Sequence, residues 1–129
     1  MIQWVGTILF NINSVTTAGI FPSGSDPTVK AIFYGLTVGP DIAASCTFII
    51  AGYLQVCEST HQFLPDIELD NLGWYSGYNN ALGGVGFLIN AVGFMFAQQG
   101  YLPAIPLLIG SVFFFIGSFL LWYEQCKTD

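Results

Sequence analysis

The sequence predicts an all-α membrane protein: four transmembrane helices built from a duplicated helical hairpin. Three observations carry that expectation. First, 53% of the 129 residues are hydrophobic and only 8% are charged, whereas soluble domains are about 25% charged. Second, with a mean hydropathy of +0.65, the chain divides into apolar stretches long enough for about four spans of roughly 20 residues each. One bundle over residues 1–129 is expected, with no separate soluble domain. Third, the chain repeats itself. Pro40, Ser45, Phe48, Ile50, Leu54 and Glu58 recur sixty-six positions later as Pro106, Ser111, Phe114, Ile116, Leu120 and Glu124.

The first predicted helix runs from Gln3 to about Phe21. No basic segment or small-residue cleavage site marks it as a secretory signal, so it is expected to be retained. The turn-forming cluster from Phe21 to Pro27 ends it. The apolar run Ala31 to Val38 follows, as a kinked extension or an interfacial segment of the second helix, placed at Pro40 to Cys57. Proline suits a first helical turn, and Asp41 beside it suits the positive end of the helix dipole. Ser59 to Asn71, with His61, Asp66, Glu68 and Asp70, is the polar connection, and Trp74, Tyr75 and Tyr78 mark a headgroup boundary. The third helix is placed at Asn80 to Phe96 and the fourth at Pro106 to Tyr123, with Gly100 and Pro103 turning the chain between them.

The first and third helices are related more faintly: Gly6, Phe10, Ile12, Asn13 and Val15 recur seventy-seven positions later as Gly83, Phe87, Ile89, Asn90 and Val92. The duplicated unit is therefore a hairpin, spanning about 3–58 in one copy and 80–124 in the other. Two crossings per unit return the chain to the same side, giving parallel repeats about an axis along the bilayer normal. Lys30 and Lys127 fall on opposite sides of such a bundle, so the positive-inside rule assigns no orientation.

Asn13 and Asn90 are the candidate polar residues of the helix interior. An unpaired amide in hydrocarbon costs several kcal/mol, so each needs a partner, as helix–helix glue or in a polar pathway. Gly83, Gly86, Asn90, Gly93 and Ala97 form one stripe that admits a neighbouring helix, with Phe87 assigned to the lipid side. Glu58 and Glu124 form a candidate helix-end carboxylate pair. Both emerge on one membrane face, as interfacial anchors or as a paired acidic site. Asp41 reads as a helix-start residue rather than a transport carboxylate, because its repeat mate is Leu107.

Other chemistry finds little support. Eight acids against two lysines give a net charge of −6, which excludes a phosphate-neutralising nucleic-acid surface. Cys46, Cys57 and Cys126 make neither an even disulfide framework nor a C-x-x-C pair, and Cys46 is expected to pack as a small hydrophobe. Glu58 and His61 have the E-x-x-H spacing of di-iron bundles, but the second copy and the mid-helix glutamates are missing. No catalytic motif is present, and no catalytic residue, metal or cofactor is expected.

The runs Trp4 to Asn13, Gly39 to Phe48, Gly73 to Tyr75 and Asn80 to Phe87, with the Gly110-Ser-x-x-Phe-x-x-Gly-Ser118 pattern, resemble the YrhK-like integral membrane proteins. Ala44 and Ala51 depart from the glycines that the last pattern suggests. The resemblance implies a multi-pass membrane protein of unassigned function, and no catalytic residues carry over from it. The expectation is a non-enzymatic structural or accessory component of the cell membrane, surrounded by lipid and associating with itself or another membrane protein. The alternative is a small transporter or ligand-binding subunit built around Asn13 and Asn90.

Overall fold

A computed structural model describes residues 2–20, 26–64, 66–96 and 101–128, and among these there is no strand. Helix α1 (Ile2–Val15) continues into a π-helical turn, Thr16–Ile20. Helix α2 (Pro27–Phe33) passes through a second π-helical turn, Tyr34–Val38, into α3 (Gly39–Thr60), so that 34 residues from Pro27 form one continuous rod. Helices α4 (Leu72–Phe96) and α5 (Tyr101–Thr128) complete the bundle.

Among the described residues, three helices are long and apolar enough to cross a membrane: Pro27–Thr60, Leu72–Phe96 and Pro103–Lys127. The fourth expected span, α1, is diluted by an outward polar row of Gln3, Thr7, Asn11 and Ser14. Thr7, Asn11 and Ser14 each return a hydrogen bond to the carbonyl four residues earlier, at 2.9, 2.8 and 2.9 Å. Polar side chains on an outer helix face are satisfied locally in this way.

Three predicted boundaries shift. The apolar run before Pro40 is helix, so Pro40 and Asp41 lie within the rod instead of opening it. Proline cannot donate to the carbonyl four residues back, which here is Leu36. The widened turn absorbs the ring, with Gly39 N–H reaching Tyr34 O, and Thr16 Oγ1 lies 3.2 Å from the Leu36 carbonyl oxygen. Helix α4 begins at Leu72 rather than Asn80 because Asn71 caps it: its Oδ1 accepts from Trp74 N at 3.2 Å, and its Nδ2 donates to Ser59 O and Glu68 Oε2. Helix α5 begins at Tyr101, and Pro106 is inside it. Of the predicted breaks, Phe21 to Ser25 and Gly100 lie outside the described residues, as does Ala97 of the predicted small-residue stripe.

Each helix packs antiparallel on the next, α1 on α3, α3 on α4 and α4 on α5. Glycine makes the last two contacts close. A Cβ built at Gly52 would stand 2.6 Å from Ala81 N and 2.7 Å from Gly77 O, and one at Gly86 would stand 2.6 Å from Gly110 Cα. Backbones thus touch along both seams of α4, the close approach that drives helix association in lipid. The stripe of Gly83, Gly86 and Gly93 faces protein as predicted, against α5. Phe87 does not face lipid: α4 is covered on two sides, and Phe87 belongs to the buried core with Ala44 and Phe48.

That core is aromatic. Phe10, Phe48, Phe87 and Phe114 form one cluster with ring centroids 4.9 to 6.3 Å apart, spacings that favour edge-to-face and tilted ring contacts. On the other face of α5 apolar side chains point outward, with Phe115 and Leu108 strongly exposed. Cys46 is also on the outer surface, not in the packed interior.

Candidate functional site

The interior holds two polar levels. Toward the acidic loop, Gln55 of α3 bridges to α4, its Nε2 donating to Ser76 Oγ at 3.0 Å and its Oε1 accepting from Asn80 Nδ2 at 3.1 Å. Ser76 Oγ in turn donates to Gly117 O of α5 at 2.7 Å. Three helices are therefore tied by one chain of hydrogen bonds. Sequence reasoning missed it because Ser76, Gly77 and Asn80 looked like the approach to a helix rather than its interior. The spacing of Ser76 and Asn80, one helical turn apart opposite Gln55, was the available signal.

The second level lies toward the other end and contains Asn13, Thr16, Thr37, Asp41 and Asn90, all buried. Its registration follows from the packing. Gly6 lies against Thr47 and Phe48, while Thr16 meets Leu36 and Thr37, which brings Asn13 level with Asp41. On the other side Gly84 meets Phe48 and Ile49, and two turns further along α4 Asn90 and Ala91 come level with Asp41.

Within this level Asn90 Nδ2 donates to Pro103 O of α5 at 2.7 Å. Asn13 Oδ1 accepts from Thr17 Oγ1 at 3.0 Å. Thr37 Oγ1 donates to Thr16 Oγ1 at 2.8 Å, joining the two π-helical turns. The two asparagines singled out from sequence are thus both buried and each bonded through one amide atom, Asn13 within its own helical segment and Asn90 across to α5. Asp41 is different. It is 1% exposed, and neither carboxyl oxygen has a hydrogen-bond partner among the described residues.

Glu58 and Glu124 lie at the same end of the bundle. Glu58 is exposed at the end of α3. Glu124 is half-buried near Gly73, where a Cβ would approach both Ser59 and the Glu124 carboxylate. It borders an open groove shared with Glu68, Asp70 and Asn71. His61, the E-x-x-H partner of Glu58, takes a left-handed conformation with φ 54° to close α3, its N–H and that of Gln62 bonding back to Glu58 O and Cys57 O. Among the described residues, no three His, Cys, Asp or Glu side chains come close enough together to share a metal ion. No family model, curated protein or solved structure matches the chain.

Proposed function

We propose that this chain is a four-crossing protein of the cell membrane, built from a duplicated hairpin of the YrhK-like kind, that acts as a non-enzymatic structural or accessory component. The observation that carries the reading is the equivalence of contacts. Gly6 sits against Phe48, and its repeat mate Gly83 sits against Phe114, the mate of Phe48. Phe10 packs on Phe48 at 6.3 Å, and Phe87 on Phe114 at 5.9 Å. Two hairpins that pack alike around one aromatic centre support α1 as the fourth crossing, although its composition is the least apolar.

The interior is spent on helix contacts. Asn90 and the Gln55–Ser76–Asn80 chain act as glue between helices, Asn13 bonds within its own helical segment, and Glu58 and Glu124 anchor helix ends at one interface. What remains for a partner is the outer apolar face of α5. Native mass spectrometry from lipid nanodiscs tests this. The expected result is a second copy or another membrane protein retained with the chain, and a monomer retaining one stoichiometric small solute would contradict it. The second reading, a small transporter or ligand-binding subunit, is favoured by one observation, the unpartnered Asp41 on the level of Asn13 and Asn90.

A further inference from the structure

We infer that Asp41 is a proton-binding site within the bundle. This goes beyond either reading of function, since it rests only on where the carboxyl group is placed. An ionisable side chain inside a membrane bundle is retained only where something neutralises it, and an uncompensated buried charge is among the most costly arrangements in a protein. The candidates for neutralisation are a basic side chain, a metal cation or a proton.

Among the described residues, no basic side chain reaches it. On its own rod the nearest is the exposed Lys30, eleven residues earlier and about 16 Å away along the helix. Tyr34 and Cys46 on the same rod are not basic side chains. Helix α1 and its π-helical turn contain no ionisable residue. Helix α4 has only Tyr75 and Tyr78, at the opposite end. Among the described side chains of α5 the ionisable ones, Tyr123, Glu124, Cys126 and Lys127, lie at that same far end. Glu58, His61, Asp66, Glu68 and Asp70 are at or beyond the end of α3, at least seventeen residues from Asp41.

A metal cation finds few ligands. Hard cations need six or more oxygen atoms around them, whereas no cluster of His, Cys, Asp or Glu side chains among the described residues surrounds this level. Thr37 Oγ1 donates to Thr16, and Ser45 Oγ donates to the Asp41 main-chain oxygen at 2.7 Å. A proton suits the place better. The second repeat puts Leu107 at the equivalent position, packed against the aromatic core. Asp41 is buried with neither carboxyl oxygen partnered among the described residues, and a protonated carboxyl is uncharged and close to leucine in size.

The test uses the full chain reconstituted in lipid, with infrared spectroscopy of the carboxylic-acid C=O stretch and thermal unfolding across pH. The native state should hold a proton that the unfolded chain releases, so its stability should fall as pH rises. In Asp41→Asn, which mimics the protonated group, that component of the pH dependence should vanish while stability at neutral pH is retained. Asp41→Leu, copying the second repeat, should behave likewise. At neutral pH the wild type should show an acid C=O band that both variants lack. The inference is overturned if no acid band is lost in the variants, if wild type and Asp41→Asn respond to pH in parallel, or if sodium stabilises the wild type where acid does not.

Discussion

At the scale of single residues, the polar side chains of the interior divide by whether they hold helices together. Ser76 both accepts from Gln55 and donates to the Gly117 carbonyl, so its hydroxyl links three helices. Ser111, by contrast, is exposed and bonds only to Leu107 O of its own helix. Ser76→Ala should lower stability in detergent by about 1–2 kcal/mol, the range for interhelical hydrogen bonds in membranes. Ser111→Ala should leave the unfolding midpoint unchanged. Asn13 and Asn90 were legible in the sequence because a mid-helix amide in an apolar run must be buried and bonded. Asp41 was not, because proline before an acid is the usual signature of a helix start. The rod continues through it only because the π-helical turn and the Thr16 hydroxyl accommodate Pro40.

At the scale of elements, the glycines decide how closely the helices approach. Cβ atoms at Gly52 and Gly86 would stand within 2.6 Å of backbone atoms of the facing helix, which no side-chain rotation relieves. Overpacking of this kind costs about 1–3 kcal/mol, occasionally more. Gly52→Leu and Gly86→Leu should therefore each lower the thermal midpoint strongly, whereas Phe115→Ala, at a side chain 72% exposed, should not. The small-residue stripe of α4 was legible from its three-and-four spacing. Its second seam, Gly77 and Gly84 against α3, was not distinguished from it, because glycines on both sides of a helix blur the period that identifies one face. That is also why Phe87 was assigned to lipid when it lies between the two seams.

At the scale of the whole molecule, three apolar helices are evident in both sequence and structure, and the polar connection between α3 and α4 falls where the cluster of acids placed it. The helix starts were less legible. Prolines at 40 and 106 read as boundaries, while both lie inside helices, and at Pro40 a wider turn and the Thr16 hydroxyl accommodate the ring. The architecture now turns on α1. It packs along α3 with Gly6 against Phe48 near one end and Thr16 against Leu36 and Thr37 near the other, the disposition of a crossing helix, yet its outer face carries a polar row. Cysteine accessibility from the two sides of the membrane is the most direct measurement. In a chain with Cys46, Cys57 and Cys126 replaced, single cysteines at Gln3, Asp26 and Phe63, all exposed positions, would be labelled with an impermeant reagent. Four crossings predict Gln3 and Phe63 on one side and Asp26 on the other. Labelling of Gln3 and Asp26 from the same side would contradict the duplicated four-helix bundle.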